Sequence, residues 1–306
     1  MSASRPETEI IDELKVFAAL ASHANVRRGN AFGLCLRASF SKSFHFLESA
    51  YKADSDRLSY YLTPSLRSIC EDIIFLSFGA KLQPIDREFV FQSLMQNEVQ
   101  NSLRTQAGFF QKFRPFQPVV RPGNYDPAKD PCQIRATEVW RQNGWKNLKA
   151  GSKPNTRQVA QQINTELLSV VYDFFYRLTS SFVHFSPQIL LRSGWGDLKE
   201  GKVSFSPHHM DAYYASANRI YGGFLFSLYF ELFSRFLRPG KYNQELVREL
   251  RRAIISSNRW PEMITYEEMN LELPSVSPIF LALQHVMSEK LERGFLSAGP
   301  ILDVDN

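Results

Sequence analysis

The chain carries the stretch Y-D-F-F-Y-R-L-T-S-S-F-V-H-F-S-P at residues 172–187, which closes a long pattern of helical periodicity. Apolar residues recur there every three or four positions, as on the buried face of an amphipathic helix. They are Ala160, Ile163, Leu167, Val171, Phe174, Leu178 and Phe182. The opposite side carries the polar residues Glu166, Asp173, Arg177, Ser180, Ser181 and His184. The spacing predicts one helix over about residues 156–185, which ends there because a residue before proline disfavours helical backbone angles.

Helical periodicity also extends to both sides of this stretch, and no segment shows the alternation of a half-buried strand. Thr63 and Pro64 form a helix-start signal, which Ser206 and Pro207 repeat before a long apolar helix. The predicted helices cover residues 7–28, 31–51, 64–79, 85–106, 156–185, 207–238, 242–257 and 278–293. The sequence therefore predicts an all-α fold, a multi-helix bundle of roughly seven to nine helices.

Residues 113–155 differ in composition from the helical segments around them. They contain six of the chain's 16 prolines and three of its glycines, so no long helix is expected to cross them. A short helix is predicted near residues 136–141, with Trp140 and Trp145 holding the segment against the helical body. A connection of this length in a compact protein is commonly functional or an inserted subdomain.

The length of 306 residues suits one large helical domain or two smaller ones. We expect a single domain over 1–306 with 113–155 as an irregular insertion, while a division into 1–112 and 156–306 stays open. Basic side chains in and beside the insertion either line a nucleic-acid surface or are simply solvated, and both interpretations stay open. They are Lys112, Arg114, Arg121, Lys146, Lys149 and Lys153.

The balance of charges is mildly basic, with 36 Lys and Arg against 31 Asp and Glu and a net charge of +5. This charge permits a nucleic-acid partner without requiring one. The three cysteines are far apart and form no C-x-x-C pair, so no disulfide framework or zinc knuckle is expected. The N-terminus lacks the features of a signal peptide, and the most apolar run, 220–237, is interrupted by Glu231 and Arg235. We expect a cytoplasmic protein without a membrane span.

No motif for a metal or cofactor stands out. His208 and His209 are adjacent rather than four residues apart, so neither a metal site nor a cofactor is expected. The serine-hydrolase elbow G-x-S-x-G and a glycine-rich phosphate loop are both missing from the sequence. A cysteine nucleophile has no local support, although the sequence does not decide against one.

Arg177 and His184 are the candidates for chemistry. They are seven residues apart, which is two helical turns, so both project from one face. A permanent cation then shares that face with a side chain that titrates near neutrality. Arg67 and Glu71 lie four residues apart on another apolar helix. They either form an ion pair that fixes helix packing or join a phosphate site from that neighbouring helix.

From about Pro64 to Pro187 the chain resembles an uncharacterised bacterial family. The matching features are an L-R-S-I-x-E helix with Arg67 and Glu71, the later Trp145, and the signature Y-x-x-x-Y-x-x-x-S-x-x-x-H-x-S. The signature residues in this chain are Tyr172, Tyr176, Ser180, His184 and Ser186. That family has no established activity, so this resemblance implies a helical fold more than a function.

The stretch R-L-T-S-S-F-V-H is similar to the R-x(4–6)-H motif of HEPN-domain ribonucleases. The resemblance implies an all-helical, metal-independent RNase that acts as a homodimer on RNA. It implies Arg177 as the phosphate-stabilising cation and His184 as the proton-transfer group. The family pattern favours a polar residue directly after the arginine, where this chain has Leu178. Supporting roles then fall to Asp173, Tyr176, Ser180, Ser181, Arg67 and Glu71.

Two functions are compatible with these observations, and whether the chain is an enzyme stays open. The first is a HEPN-like endoribonuclease of a stress, toxin or phage-defence system, with a regulatory protein partner. The second is a non-enzymatic helical binding or regulatory protein, such as a sensor or adaptor. In that second case a buried polar network locks the central helix against its neighbours. Its members would be Tyr172, Tyr176, Arg177, Ser180 and His184.

Overall fold

The computed structural model describes residues 5–23, 30–52, 57–121, 123–163, 166–183, 186–197, 202–257 and 259–263. Its elements in chain order are α1 (Glu7–Ser22), α2 (Ala31–Lys52), α3 (Ser59–Leu62), α4 (Ser65–Lys81), α5 (Pro84–Phe113), α6 (Pro131–Gln142), α7 (Thr156–Gln162), α8 (Glu166–Val183), α9 (Pro187–Arg192), β1 (Gly194–Asp197), β2 (Lys202–Phe205), a 3-10 turn (Pro207–Met210), α10 (Asp211–Leu237) and α11 (Lys241–Ile255). Within the described ranges, eight of these helices have 12 residues or more, and one short hairpin is the sole β structure. The prediction of an all-α bundle is confirmed.

Helices α2 and α10 pack against each other at the centre of the bundle, where aromatic side chains fill the core. The ring of Phe40 lies 5.8 Å from that of Phe226 and 6.0 Å from that of Tyr229. Tyr229 is fully buried, and its hydroxyl donates a hydrogen bond of 2.5 Å to the carbonyl of Leu36. That bond gives the buried hydroxyl the polar partner that the interior otherwise lacks.

Two glycines allow α10 to approach its neighbours closely. A Cβ atom on Gly222 would lie 2.6 Å from a ring carbon of Phe46, and one on Gly223 would collide with the side chain of Ile254. Helix α10 nevertheless runs without a break from Asp211 to Leu237. The Gly-Gly pair is therefore a point of close packing.

We expect Gly222→Ala to lower the free energy of unfolding by roughly 1–2 kcal/mol. Overpacking against Phe46 costs about 1–3 kcal/mol, which outweighs the gain of up to about 1 kcal/mol from replacing glycine in a helix. Gly108→Ala in α5 is the matched control, because nothing lies within 4 Å of its Cβ position. That variant should be stabilised by roughly 0.5–1 kcal/mol. Urea unfolding measures both, and equal stabilisation by the two substitutions would contradict the packing argument.

The proline-rich segment contains α6, which at 12 residues is longer than the predicted helix at 136–141. Trp140 of α6 stacks on Phe78 at 4.7 Å between ring centroids, and Trp145 meets Trp140 edge-on at 5.4 Å. The buried amide of Gln133 accepts a hydrogen bond of 2.6 Å from the hydroxyl of Ser93 on α5. The prediction that both tryptophans hold this segment against the helical body is confirmed.

The single helix predicted over 156–185 is wrong, because two helices, α7 and α8, occupy this range. At the end of α7, the ammonium of Lys81 on α4 donates a hydrogen bond to the carbonyl of Ile163. The end of a helix leaves carbonyls without intrahelical partners, and this contact from another helix satisfies one of them.

Because two helices replace the predicted one, the residues that face the core differ in part from those predicted. Leu167, which was predicted to be buried, is 52% exposed. Val171 and Leu178 are buried as predicted, while Phe174 and Phe182 are half-buried. The residues that α8 buries are Leu168, Val171, Tyr172, Phe175, Leu178 and Thr179.

Strands β1 and β2, which follow α9, form a small antiparallel hairpin, with Trp195 paired to Ser204. Its strands have four residues each, which is too short for an alternating pattern to be seen in the sequence. The predicted helix at 278–293 and the predicted end of the first helix, at 24–28, lie outside the described residues. None of the helices in the described part of the chain combines the length and the apolar character that crossing a membrane requires.

Candidate functional site

Helix α8 carries the candidate residues, and neighbouring helices orient it. Its buried face lies against α4 and α7. On the same helix, the ring of Phe175 lies 5.4 Å from Tyr221 and 6.5 Å from Phe224, both on α10. The hydroxyl of Thr179 is buried and donates to the carbonyl of Phe175 at 2.6 Å. Because the contacts with α4, α7 and α10 fix the rotation of α8 about its axis, they determine which side chains it presents to solvent.

Arg177 lies on the solvent side of α8. Its side chain is exposed and forms no hydrogen bond or ion pair with another described residue. Asp173, one turn earlier, is 53% exposed and lies 3.9 Å from the Nε atom of Arg157 on α7. Asp173 thus contacts α7, and its support of Arg177 stays a prediction. Because Arg177 is exposed, it does not belong to the buried polar network of the alternative interpretation.

His184 lies outside the described residues, and so does the geometry of its pairing with Arg177. Ser180 and Ser181, which lie between them in the sequence, are partly exposed on the last turn of α8. The described part of the predicted site is thus a partly exposed helix end that carries one cation and two hydroxyls.

Arg67 and Glu71 of α4 form the ion pair that one interpretation of the sequence predicted. The Nε atom of Arg67 lies 2.9 Å from Oε1 of Glu71, and the two side chains are 22% and 31% exposed. The guanidinium also lies over the ring of Tyr176 on α8, at 4.6 Å from the ring centroid. A cation above an aromatic face is attracted by the ring quadrupole. Arg67 therefore links α4 to α8 through an ion pair on one side and a cation–π contact on the other.

Tyr172 completes this cluster beneath Tyr176, with 5.3 Å between the two ring centroids. Burial raises the pKa of the Tyr172 hydroxyl, and the nearby Tyr176 and Glu71 raise it further. The proximity of Arg67 acts in the opposite direction on that pKa. Burial outweighs the cation, so Tyr172 is a neutral hydrogen-bonding group near pH 7.

The cluster explains which face of α8 carries the tyrosine signature. Tyr172, Tyr176 and Ser180 are four residues apart and form one strip along the helix. Arg67 lies over the middle of that strip, whereas Arg177 lies about 100° further around the helix. The structure therefore brings two of the predicted supporting residues, Arg67 and Glu71, to the tyrosine strip, and leaves Asp173 with α7.

Glu71 also lines a cavity of about 420 Å³ that sequence reasoning missed. Two ion pairs border it, Lys42 with Asp72, and Lys153 with Glu98 at 3.1 Å. Its walls come from α2, α4, α5 and the start of α7. Because these elements are far apart in the sequence, no local pattern predicts the cavity. The remaining lining residues are Cys35, Ala38, Ser39, Phe75, Leu76, Phe91, Leu94 and Thr156.

The cysteines have surroundings that disfavour a nucleophilic thiolate. Burial raises the pKa of Cys35 to about 11 and that of Cys132 to about 11. Burial also raises the pKa of the Cys70 thiol. All three thiols are therefore protonated near neutral pH, and a cysteine nucleophile finds no support.

His208 and His209 have local partners at the start of α10. The Nδ1 atom of His208 lies 3.1 Å from a carboxylate oxygen of Asp211, and Nε2 of His209 lies 3.2 Å from the hydroxyl of Ser204. In the described ranges, no group of three His, Cys, Asp or Glu side chains is arranged to hold a metal ion.

Comparison with known proteins identifies one related group. Residues 61–202 match a family of unknown function (DUF5677), which is similarity over slightly less than half of the chain. The matched region includes α4, α8 and the cluster of Arg67, Glu71, Tyr172 and Tyr176, and it agrees with the expected resemblance to an uncharacterised family. No curated protein and no solved structure matches the sequence.

Proposed function

We propose that the chain is a metal-independent endoribonuclease that resembles HEPN ribonucleases, with Arg177 and His184 as its catalytic pair. Its biological setting would be a stress, toxin or phage-defence system in the cytoplasm, under the control of a regulatory protein. The seven-residue spacing of the pair in the sequence, which is similar to the HEPN motif, is the basis for this assignment.

In the proposed reaction, a 2′-hydroxyl of the RNA attacks the adjacent phosphorus. His184 accepts the proton of that hydroxyl and returns one to the departing 5′-oxygen, because imidazole transfers protons in both directions near neutral pH. Arg177 stabilises the charge that develops on the phosphoryl oxygens. The bond to the 5′-oxygen breaks, which leaves a 2′,3′-cyclic phosphate on one product and a 5′-hydroxyl on the other.

The observation that supports this proposal best is the exposed guanidinium of Arg177 on the penultimate turn of α8. Among the described residues it has no carboxylate partner, since Asp173 faces Arg157. An exposed arginine outside any ion pair can bind a phosphate directly, whereas one in an ion pair would first have to leave its partner.

A second cation stands close to the tyrosine strip of α8. Arg67 is held in place by Glu71 and by the ring of Tyr176. In the proposed enzyme, Arg67 and Glu71 orient Tyr176 from the side of α4. Ser180 and Ser181 offer hydroxyls to the sugar or the phosphate. These are supporting roles, because no reacting group of the RNA needs to touch α4.

The test is a cleavage assay with purified protein and total RNA in the presence of EDTA. We expect fragments that carry 2′,3′-cyclic phosphate and 5′-hydroxyl ends, which enzymatic end-labelling distinguishes from the products of metal-dependent nucleases. Intact RNA after prolonged incubation, at several protein concentrations, would overturn the proposal.

The proposed enzyme acts as a homodimer. If one continuous helix carried both residues, as the sequence predicts, the Cα atoms of Arg177 and His184 would be about 10 Å apart, which is long for two groups that act on one phosphate. Pairing the motifs of two copies across an interface shortens that distance. We expect a solution mass of about 70 kDa by light scattering, twice the 35.2 kDa of one chain. A monomeric protein whose cleavage rate per molecule does not change with protein concentration would contradict this arrangement.

The cavity beside Glu71 favours the second function, a non-enzymatic binding or regulatory protein. Its volume of about 420 Å³ lies within the range of small-molecule sites, and it combines an apolar wall with two lysines. Absence of cleavage, together with a rise in melting temperature on addition of a small ligand, would favour this function over the nuclease.

A further inference from the structure

The second half of α5 projects from the helical body. Its first half packs through Val90, Phe91 and Ser93, whereas none of the described side chains from Asn101 to Arg121 is buried. After α5 ends, the chain returns alongside it, with hydrogen bonds from Gln106 to the carbonyl of Val120 at 3.0 Å and from Arg104 to that of Tyr125 at 3.4 Å. We call residues 101–121 the basic arm.

Phenylalanines concentrate at the tip of the basic arm. Phe109, Phe113 and Phe116 are 55%, 59% and 97% exposed. The ring centroid of Phe109 lies 4.9 Å from that of Phe113 and 5.4 Å from that of Phe110. Contiguous exposed apolar surface is uncommon on soluble proteins unless it binds a partner. These exposed rings do not pack in the core, so we infer that they contact a binding partner.

The charge of the basic arm is uniformly positive. Between Val99 and Tyr125 the sequence contains four cations and no Asp or Glu. They are Arg104, Lys112, Arg114 and Arg121. None of the four forms an ion pair with a described residue, and the ammonium of Lys112 lies 5.3 Å from the ring centroid of Phe113. The arm therefore presents cations and aromatic faces side by side to a polyanion.

We propose that the basic arm binds single-stranded RNA, with its phenylalanine rings stacked on bases and its cations on the flanking phosphates. Proteins that hold single strands combine a positive surface with aromatic platforms, which accept any base because every base has a π-face. The choice of RNA as the strand rests on the proposed nuclease function. Binding itself does not require that cleavage occurs.

An anionic membrane surface would be the main competitor for such an arm, but the order of the residues favours RNA. Lys112 and Arg114 alternate with the phenylalanines along the sequence and do not form a separate basic cluster. Inserting Phe113 and Phe116 into a bilayer would carry Arg114 into the apolar region, which is costly. On a nucleic acid the same alternation places a cation next to each stacked base.

The base of the arm lies close to the cavity that Glu71 lines. Glu98, three residues before the arm begins, pairs with Lys153 at 3.1 Å. The ammonium of Lys153 lies 5.5 Å from the ring centroid of Phe75, and both residues line the cavity that Glu71 also lines. The base of the arm therefore adjoins the cavity that contains Glu71, the ion-pair partner of Arg67.

Fluorescence anisotropy tests this proposal with a 2′-O-methylated single-stranded RNA of about 20 nucleotides, longer than the roughly 4–16 that one binding fold covers. This probe lacks the attacking hydroxyl, so cleavage does not interfere. We expect Phe113→Ala and Phe116→Ala each to weaken binding by roughly 5- to 100-fold. Phe205→Ala is the matched control, since Phe205 is 62% exposed and lies on β2, outside the arm. Arg114→Gln should lower the slope of log affinity against log salt by about 0.7.

Unchanged affinity in both phenylalanine variants of the arm, or an equal loss in Phe205→Ala, would overturn the proposal. Failure of the wild-type protein to bind the probe would do the same. Arm-dependent binding to vesicles of anionic phospholipid, without arm-dependent binding to RNA, would assign the arm to membranes instead. The two proposals can be tested separately. Arm-dependent RNA binding without any cleavage would contradict only the proposed nuclease function. Cleavage with RNA binding that does not depend on the arm would contradict only the proposed role of the arm.

Discussion

We expect His184→Ala to lower the rate of RNA cleavage in EDTA by about 10²- to 10⁴-fold, the factor that a positioned acid–base group commonly contributes. Arg177→Ala should lower the rate by roughly 10²- to 10³-fold, as does the loss of one group that stabilises developing charge. Initial rates on an end-labelled RNA, with products separated on denaturing gels, measure both effects. The double variant should be little worse than His184→Ala, because residues that act as a unit are not additive.

The controls separate chemistry from folding. Arg252→Ala removes another exposed arginine, on α11, and should leave the rate unchanged. Arg177→Ala should change the free energy of unfolding by no more than about 0.5 kcal/mol, since the exposed side chain has no partner among the described residues. A wild-type rate in either catalytic variant would refute the assignment. A loss of several kcal/mol in folded His184→Ala would instead favour a structural network around that histidine.

We expect Trp140→Ala to lower the free energy of unfolding by about 3–5 kcal/mol, the usual cost of truncating a buried tryptophan to alanine. Trp140 is 1% exposed and stacks on Phe78 of α4, with Trp145 against its edge. Alanine would leave a large cavity at this junction, because three aromatic side chains meet there. Urea unfolding followed by far-UV circular dichroism measures the loss.

Trp195→Ala in the hairpin is the matched control, because Trp195 is only partly buried. It should lose less than half as much stability. The same experiment tests whether the chain is one domain. A single cooperative transition at lower urea concentration is expected for Trp140→Ala if α6 is part of the common core. An unchanged midpoint, or a separate early transition, would show that the segment folds apart from the rest.

Helix positions could largely be predicted from the sequence because their signals are local. The predicted helix over 31–51 corresponds to α2 (Ala31–Lys52), and that over 242–257 corresponds to α11 (Lys241–Ile255). The predicted start at residue 156 is correct, where Asn155 and Gln158 form a capping box. Cap residues and apolar spacing act within a few residues of one another, so reading along the chain detects them.

Contacts between helices account for what could not be predicted. At the end of α7, Lys81 reaches from α4 to the carbonyl of Ile163, a contact between residues too far apart in the chain for a local pattern to predict. The partner of Asp173 is Arg157, a residue of α7 that approaches only because the two helices pack together. The extension of α5 to Phe113, past the predicted end at 106, continues a helix that has lost its contact with the core.

The sequence by itself determined the all-helical class, the polar side of α8 and the spacing of Arg177 and His184, because periodicity and residue type are properties of short stretches. Only the tertiary structure decided which of these side chains meet. Helix packing places Arg67 over Tyr176, although more than one hundred residues separate the two in the sequence. The same packing leaves Arg177 exposed to solvent. Such pairings follow from how whole helices pack, and that packing is set by the entire core at once.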